Sequence, residues 1–399
     1  MGQYSSYKDS GFEWIGKIPS HWGLLKSKFL WRESFDTSAT GMEDLLSVSQ
    51  YDGVTPANGS RSESLVGYKV VEENNLVINI MLAWMGGLGV SAFNGLVSPA
   101  YCVYKLLGDN NPKYMHYLYK TPMYLAEFAR HSTGVIPSRW RMYTDDFGQV
   151  ISLIPPRKEQ DAMVAYLDAA TAKIDEAITQ QQRMIDLLNE RKRIIIHSAV
   201  TKGLNPAAQL RDSGVSWIGQ IPKHWVVKRL KHIARLRSGD TINSDRFAEE
   251  GYPVYGGNGF RGYTDSYTNE GDFVLIGRQG ALCGNVNYAH GRFFASEHAV
   301  VVYPYNTQNV IWLGEVIRDS DLNQYSQSAA QPGLAVSTIG NIYYPYPPDD
   351  ERDAIASEIK EKSSVLDANI RQAESMISLL QERKQIIIND VVTGKVKVV

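Results

Sequence analysis

The sequence predicts an α+β protein in which two mixed α/β domains are joined by two long helices, with a pseudo-twofold internal repeat. Three observations support this fold class. A Trp/Pro motif and a long segment of charged and apolar residues each occur twice, the long segments have a seven-residue apolar period, and the stretches between them contain short apolar runs separated by glycine-rich turns.

The Trp/Pro motif begins each half of the repeat. DSGFEWIGKIPSHW at 9–22 recurs as DSGVSWIGQIPKHW at 212–225, and ten of the fourteen positions are identical. His21 and His224 recur with the motif, and a structural role is favoured for both over a catalytic one. A match of this length indicates duplication rather than chance.

Each long segment follows a pair of prolines. IPPRKEQDA at 154–162 recurs as YPPDDERDA at 346–354, and the similarity continues from MIDLLNERKRIII at 184 to MISLLQERKQIII at 376. A proline pair fits at or just before the start of a helix, because proline lacks the N–H that the first helical turn leaves unpaired.

The apolar period of the long segments is typical of coiled-coil heptads. Two separate helical hairpins are an alternative, but packing of the two helices on each other is favoured because neither apolar face has another long partner. Such helices would fix the distance between two globular domains as a ruler does. The residues predicted on the packed faces are Ile174, Ile178, Ile185, Leu188, Ile195, Leu366, Ile370, Ile377, Leu380 and Ile387.

The two variable stretches, about 23–153 and 226–345, are predicted to form related but divergent domains. LVINIML at 76–82 and HAVVVY at 298–303 are typical of strands, and both stretches share a strand–turn–strand layout. The copies keep a common frame and differ in the rest, as expected for two binding modules of different specificity.

Length and composition limit the class of protein. The chain has 399 residues, enough for two or three domains, and 43% of them are apolar. No run of about 20 apolar residues could span a membrane, and the first residues lack a secretion signal, so a cytoplasmic protein is expected. Cys102 and Cys283 are too few for a disulfide framework or a four-cysteine zinc site, so no metal is expected.

Several motifs that could indicate catalysis are weak. GNGFRG at 257–262 matches GxGxxG, but the residues after it predict turn and strand instead of the required helix. Asp349, Glu358 and Lys360 resemble a nuclease arrangement, but Glu358 falls on a predicted helix where Glu–Lys pairs are common. No phosphate-binding GxxxxGK[ST] loop occurs, and no nucleophile, base and orienting group stand at a persuasive spacing. The sequence therefore argues against an enzyme.

Local basic clusters favour a nucleic-acid partner despite a net charge of only −2. VVKRLKHIARLR at 226–237 carries five basic residues and no acid, and 130–141 places basic residues around a tryptophan. A solvated charged face is the alternative for any one cluster. The candidate DNA-contacting residues are Asn58, Arg61, Arg130, Arg139, Arg141, Lys228, Arg229, Lys231, Asn258, Arg261, Arg278, Gln279 and Gln331.

The two repeated motifs, DSGxxWIGxIPxHW and LLxERKxxII, separated by divergent Gly/Tyr-rich domains, resemble the specificity subunit of type I restriction–modification enzymes. The resemblance extends from about Asp9 to Val396. One departure is that TKGL at 201–204 becomes TGKV at 393–396, so the second helix is expected to end differently.

The resemblance implies a fold and a function. Each variable stretch would be a target-recognition domain that reads one half of a bipartite, asymmetric DNA site. The long helices would form an antiparallel coiled coil that sets the gap between half-sites and docks two modification (methyltransferase) subunits, to which up to two restriction/translocation subunits add. The chain itself would need no cofactor, and S-adenosylmethionine, ATP and Mg²⁺ would belong to those partners.

The resemblance also suggests domain boundaries. The first target-recognition domain is placed at 1–153, the central helix at 154–204, the second target-recognition domain at 205–345 and the C-terminal helix at 346–399. Two other functions stay open from the residues alone: a stand-alone DNA-modifying enzyme with an unfamiliar site, and a helical scaffold that reads no DNA.

Overall fold

The computed structural model describes residues 2–50, 53–57, 64–136, 139–280, 282–306, 309–326 and 333–398. Asn58, Arg61 and Gln331, three of the candidate DNA-contacting residues, lie outside these ranges. The chain forms two compact units, the first made of Met1–Gln181 with Ser375–Val399 and the second of Gln182–Glu374. Each unit holds one mixed α/β domain and part of both long helices.

The first unit is built on an antiparallel sheet. Its strands are β1 (Tyr7–Asp9), β2 (Lys17–Pro19), β3 (Gly23–Lys26), β4 (Trp31–Ser34), β5 (Leu46–Ser49), β6 (Gly53–Pro56), β7 (Lys69–Val71), β8 (Leu76–Asn79), β9 (Leu88–Val90), β10 (Gly95–Val97), β11 (Tyr101–Leu106) and β12 (Ile151–Ile154). The central sheet has the order β4-β11-β8-β9, and β1-β2, β3-β12, β5-β6 and β7-β10 form separate antiparallel pairs. All four residues of β8 are buried because both faces of the sheet are covered.

Short helices cover this sheet. They are α1 (Ser27–Leu30), α2 (Pro112–Tyr119), α3 (Pro122–Arg130) and α4 (Thr144–Gln149). Helix α2 begins where the Asn111 side chain accepts the backbone N–H groups of Lys113 and Tyr114, a standard N-cap. The core between these helices and the sheet is rich in buried aromatic rings, namely Tyr114, Tyr119, Tyr124, Phe128 and Phe147.

The first long helix, α5 (Arg157–Lys202), leads into the second unit, which repeats the plan. Its strands are β13 (Leu210–Asp212), β14 (Gln220–Pro222), β15 (Val226–Arg229), β16 (Ala234–Ser238), β17 (Tyr252–Gly256), β18 (Gly259–Thr264), β19 (Asn269–Glu270), β20 (Phe273–Gly277), β21 (Val286–Ala289), β22 (Arg292–Ala295), β23 (Ala299–Pro304) and β24 (Tyr343–Tyr346). The helices are α6 (Val310–Asp319), α7 (Val336–Asn341) and the second long helix, α8 (Asp349–Val392).

The second unit has the same central sheet and one addition. The order β16-β23-β20-β21 matches the central sheet of the first unit, and a second four-stranded sheet has the order β18-β17-β22-β19. Strands β17 and β22 are parallel, whereas the other pairings between the named strands of this unit are antiparallel. The mixed α+β class predicted from the sequence is confirmed.

The two domains differ in which element supplies a large side chain between a helix and the central sheet. His116 on α2 is buried, and its Nδ1 accepts the backbone N–H of Val90 at 3.1 Å. The repeat-equivalent positions in the second unit are Gly314 and Tyr288, and a Cβ at Gly314 would collide with the Tyr288 ring. A large residue therefore fills this space from the helix in one unit and from the strand in the other.

The long helices run antiparallel in both units, as the resemblance implied. In the first unit, early residues of α5 such as Leu167 share a core with late residues of α8 such as Val391. In the second unit, Val200 near the end of α5 packs in one core with Ile355 near the start of α8.

The beginning and the end of the described chain are adjacent in the first unit. Gly2 and Lys397 exchange two backbone hydrogen bonds, Gly2 N–H to Lys397 O at 3.1 Å and Lys397 N–H to Gly2 O at 2.8 Å. The corresponding link in the second unit is covalent, because residues 203–209 connect α5 to β13. Among the helices of the described ranges, none has the length and apolar composition of a membrane span.

Candidate nucleic-acid interface

In the first unit the repeated Trp/Pro motif clamps the two long helices together. His21 Nε2 lies 2.6 Å from Glu159 Oε1 in the first turn of α5, and the Trp22 indole N–H donates to Glu159 Oε2 at 3.1 Å. The Trp22 ring also covers the end of α8, where a Cβ on Gly394 would lie 2.9 Å from it. Gly394 has a φ of +76°, which favours glycine at a helix end.

The second unit contains the same clamp. His224 Nε2 lies 2.5 Å from Glu351 Oε1 in the first turn of α8, and the Trp225 indole donates to Glu351 Oε2 at 2.9 Å. Trp225 covers the end of α5 at Gly203. This glycine is the third residue of TKGL at 201–204, whereas Gly394 is the second residue of TGKV at 393–396. Both histidines therefore have the structural contacts that the sequence favoured, and both helices end at a glycine packed against tryptophan.

Two loops stand at the same edge of each central sheet. In the first unit they are residues 80–87 and the described residues 133–136 and 139–141, joined by a hydrogen bond from Met142 N–H to Ile80 O at 3.0 Å. In the second unit the described residues of the two loops are 278–280 with 282–285, and 333–335, and the repeat-equivalent bond runs from Leu334 N–H to Arg278 O at 2.9 Å. We call these the first and second loop pairs. They share one backbone anchor and carry different side chains.

The first loop pair is largely apolar. Trp84 and Trp140 pack edge to face with ring centroids 5.3 Å apart, which ties its two loops together. Val135 at the tip is 95% exposed, and three apolar side chains of the other loop are also exposed: Met81, Leu82 and Met85. Sequence reasoning missed this surface, although the string MLAWM at 81–85 was its visible signal.

The basic candidates of the first unit differ in exposure and in the contacts that they already make. Arg139 is exposed next to the apolar tip, and Arg141 is half-buried and donates to the Trp140 carbonyl at 2.9 Å. Arg130 is exposed but forms a two-pronged ion pair with Glu127 at 2.6 and 2.8 Å. Although its own burial acts the other way, Glu127 has a lowered pKa because Arg130 and His131 stabilise the carboxylate.

The second loop pair brings several predicted residues together. The Arg278 guanidinium donates to Ser238 Oγ at 3.0 Å, and Gln279 Oε1 lies 2.8 Å from His298 Nδ1. Asn258 joins the same edge, because a Cβ on its neighbour Gly257 would lie 3.1 Å from the His298 carbonyl oxygen and 3.4 Å from that of Gln279. The sequence did not identify His298 or Ser238.

The remaining basic candidates lie elsewhere in the second unit. Arg261 is exposed on the second sheet, where it stacks on the Phe247 ring at 5.6 Å. Lys228 and Arg229 on β15 are half-buried and lie 4.0 and 4.9 Å from the ring centroids of Tyr346 and Tyr343, respectively. Lys231, just beyond them, is exposed.

The long helices carry two distinct apolar faces. All ten residues predicted on the packed faces are buried or half-buried. A second apolar stripe lies on the outside of each helix, and its members are between 43% and 60% exposed. We call these the outer stripes: Met184, Leu187 and Ile194 on α5, and Met376, Leu379 and Ile386 on α8. Their identical offset of 192 residues was the available sequence signal.

The weak catalytic motifs have ordinary structural roles. Residues 257–262 form the turn and second strand of the β17–β18 hairpin, as predicted. Glu358 pairs with Lys362 at 2.5 Å on the surface of α8. Burial raises the pKa of the Cys102 and Cys283 thiols, which disfavours reactive thiolates. Within the described ranges no cluster of histidine, cysteine and acidic side chains could hold a metal ion.

Comparison with known sequences places these features in a family context. Residues 222–373 match the family model described as "Type I restriction modification DNA specificity domain". The chain is 38% identical over 156 residues to the type I restriction enzyme EcoprrI specificity subunit of Escherichia coli, which covers 38% of this chain and 39% of that protein. It is 23% identical over 278 residues to the type I restriction enzyme MjaVIII specificity subunit of Methanocaldococcus jannaschii, which covers 61% and 62%. The chain thus spans about two to three fifths of these relatives.

The fold is also similar to a solved structure. That structure is described as "Structural basis underlying complex assembly and conformational transition of the type I R-M system", and it superposes with a TM-score of 0.71 at 13% identity over 95% of this chain and 99% of that one. The resemblance noted from the repeated motifs is therefore confirmed in sequence and in fold.

Proposed function

We propose that this chain, which carries a type I restriction–modification DNA specificity domain in residues 222–373, is the DNA sequence-specificity subunit of a type I restriction–modification complex. Each unit reads one half of a bipartite, asymmetric DNA site. The long helices set the spacing of the half-sites and dock the methyltransferase subunits.

One observation carries this proposal. The two loop pairs are held by equivalent backbone hydrogen bonds, at 3.0 Å in the first unit and 2.9 Å in the second. The first exposes mainly apolar side chains with Arg139 among them, whereas the second carries Arg278 and Gln279. Two domains that recognise different DNA sequences need different side chains on loops that the same backbone arrangement positions. Base edges are distinguished by hydrogen bonds and by contact with the thymine methyl group.

Exposed cations outside the second loop pair suit contacts to phosphate. Arg139 in the first loop pair, and Lys231 and Arg261 in the second unit, are exposed to solvent. Phosphate contacts fix the register of a protein on DNA but carry no sequence information. The partners would supply much of the remaining positive charge, because this chain has a net charge of only −2.

The outer stripes suit two copies of one protein partner. Each stripe presents Met, Leu and Ile at the same spacing, 184, 187 and 194 on α5 and 376, 379 and 386 on α8. Exposed apolar stripes of this kind usually mark a protein interface. Because the repeat creates the stripe twice, the proposed stoichiometry is two modification subunits per chain, with up to two restriction subunits added to them.

The chemistry belongs to the partners in this proposal. The modification subunits would transfer methyl groups to adenine from S-adenosylmethionine. The restriction subunits would use ATP and Mg²⁺ to translocate and cleave DNA. A double-stranded DNA partner agrees with the cytoplasmic location expected from the sequence.

A selection from random-sequence duplexes tests the function. The full chain, mixed with a modification subunit, should enrich a motif of two short half-sequences separated by a fixed gap. Arg278→Ala should degrade one half only, and Lys231→Ala, the matched control for a phosphate contact, should weaken binding evenly across sequences. Enrichment of one continuous motif, or of none, would contradict the proposal. Methyl transfer or DNA cleavage by the chain alone would favour the stand-alone enzyme.

A further inference from the structure

Two exposed cations recur at equivalent positions just after the Trp/Pro motif of each unit. At the offset of 203 residues that relates the two copies of the motif, Lys28 corresponds to Lys231 and Arg32 corresponds to Arg235. All four side chains are exposed. Only Lys231 of this set was predicted from the sequence. Because the variable stretches otherwise diverge, a basic pair that is present in both copies stands out from its surroundings.

The two lysines have the same structural setting. Each lies in the short helical turn before the edge strand of its central sheet and packs against the helix that follows its loop pair. A Cβ on Gly148 of α4 would lie 3.3 Å from the Lys28 Cβ, and a Cβ on Gly340 of α7 would lie 3.5 Å from the Lys231 Cβ. Each of these helices begins two residues after the residue that anchors its loop pair. Both lysines are therefore held close to the proposed reading edge.

The two arginines share one register in the edge strand. Arg32 on β4 lies opposite Lys105 on β11, and strand β4 is at the edge of the first central sheet. Arg235 on β16 lies opposite Tyr303 on β23 in the same position of the second sheet, and its guanidinium is 4.8 Å from the centroid of the Tyr303 ring. Strand β16 continues to Ser238, which contacts the second loop pair. Arg235 is thus about 10 Å along the strand from that contact.

The recurring exposed cations are free, whereas cations beside them that do not recur are paired. Within the described ranges, none of the four forms an ion pair with a carboxylate. Lys105 pairs with two carboxylates at 3.2 Å, and Arg237 pairs with Asp240 at 3.3 Å. Neither Lys105 nor Arg237 has a basic counterpart in the other unit. A third basic pair, Lys26 and Arg229, also recurs, but both side chains are half-buried. The four free cations are therefore those available to an anionic ligand.

The repeat narrows the identity of that ligand. Two half-sites of different sequence share only their sugar–phosphate backbone, so side chains common to both units suit phosphate, and side chains that differ suit base readout. We propose that Lys28 with Arg32, and Lys231 with Arg235, are matched phosphate-binding sites that anchor each unit on the DNA backbone beside its own half-site. This inference rests on the proposed function and assigns the sequence-independent part of the binding to particular residues.

The salt dependence of DNA binding tests these sites, because each phosphate contact releases condensed counterions. The full chain with a modification subunit is titrated into a duplex that carries the selected motif, at a series of KCl concentrations. Two double variants are compared with the wild type: Lys28→Gln with Arg32→Gln, and Lys231→Gln with Arg235→Gln. Each should make the slope of log affinity against log salt shallower by about 1.8, since one contact to B-DNA contributes about 0.9. The random-duplex selection should return the wild-type motif for both.

Arg237→Gln is the matched control in the second unit. Arg237 shares a strand and a face with Arg235 but is already paired with Asp240, so its removal should leave the salt slope close to that of the wild type. Arg235→Lys keeps the charge and should also keep the slope. If a double variant melts below the assay temperature, Arg32→Gln or Arg235→Gln alone, with an expected change of about 0.9, decides the question.

Each outcome supports or overturns the sites. An unchanged slope in both double variants would show that these cations are a solvated surface. A motif altered at single base pairs would make them base contacts, and loss of the modification subunit in native mass spectrometry would make them a protein interface, so either result would overturn the proposal. If the wild type selects no bipartite motif but the double variants still change the slope, the proposed function fails and the phosphate sites stand. A wild-type complex that binds no DNA would overturn both.

Discussion

Lys192 on α5 holds Asp367 on α8, with its Nζ 2.8 Å from both carboxylate oxygens. The repeat exchanges the two helices in the other unit, where Lys384 on α8 holds Asp175 on α5 at 2.7 Å. One acid–base pair in the ancestral half thus became two cross-helix ion pairs. Each pair fixes the register of the antiparallel helices inside its own unit.

Reversing one of these charges should destabilise the second unit. Asp367→Lys places two lysines face to face and should lower the free energy of unfolding by about 1 kcal/mol, because partly exposed pairs are screened by solvent. Lys192→Asp in the same chain should restore most of the loss. Urea unfolding measures both changes. Arg193→Glu, in the exposed pair with Glu190 on one helix, is the control and should cost less than the cross-helix reversal.

His116 should make the stability of the first unit depend on pH. Burial, aided by the charges of Lys120 and Lys113, lowers the His116 pKa to about 4 from an ordinary value of 6.5. As the pH falls, His116 is therefore protonated in the unfolded chain at a higher pH than in the folded chain. The contribution of neutral His116 to the free energy of unfolding is fully present above pH 6.5. It should fall by about 3 kcal/mol as the pH falls towards 4.

The variant His116→Gln tests this dependence. Its amide oxygen can still accept the Val90 N–H, but it does not titrate, so urea unfolding of the variant should lose most of the pH dependence between 6.5 and 4. His290→Gln, at an exposed histidine, should retain it. An unchanged slope in His116→Gln would show that other groups cause the acid sensitivity.

The clamp in the second unit should depend on the Glu351 carboxylate. Glu351→Leu leaves the buried Trp225 indole N–H and the His224 ring without their acceptor, which should cost about 1–3 kcal/mol of unfolding free energy. Glu351→Gln keeps an acceptor for the indole and should cost less. Chemical denaturation of the two variants compares them, and equal losses would argue that packing, not hydrogen bonding, maintains the clamp.

The outer stripes should each bind one modification subunit. Leu187→Asp should reduce the complex from two modification subunits to one, Leu379→Asp should do the same, and the double variant should bind none. Native mass spectrometry of the co-purified complexes measures the stoichiometry. Asn189→Asp, at an exposed polar position beside Leu187, is the control and should keep both subunits.

Lengthening both helices should lengthen the gap in the DNA site. Seven residues inserted after Gln181 and seven after Glu374 preserve the apolar face and add about 10 Å of helix, which corresponds to roughly three base pairs. The half-sequences themselves should not change. Methylation mapping in cells that carry the complete system reads the gap directly, and an unaltered gap would remove the spacing role of the helices.

The repeat made the frame of this protein predictable. Two copies of one motif fixed the positions of the long helices, their start after paired prolines and the residues of their packed faces. The strands of the central sheets were visible as apolar runs such as LVIN at 76–79, because both faces of those strands are buried. Periodicity and duplication are local or pairwise signals, and they need no knowledge of distant contacts.

The interface was predictable only in part. Arg278, Gln279 and Asn258 were recognisable as polar side chains in glycine-rich turns, but His298, which contacts the Gln279 side chain, lies 19 residues away on another turn. The filling of equivalent spaces by His116 in one unit and by Tyr288 in the other likewise depends on a contact between a helix and a strand. Contacts of this kind arise from tertiary packing, and a single sequence contains no periodic trace of them.

The hydrogen bonds between Gly2 and Lys397 make the connectivity of this fold nearly cyclic. A short peptide could join those positions, and a new break could be opened in the exposed segment 204–207, without loss of any core contact. A circular permutant would then carry the same two units in the opposite order along its sequence.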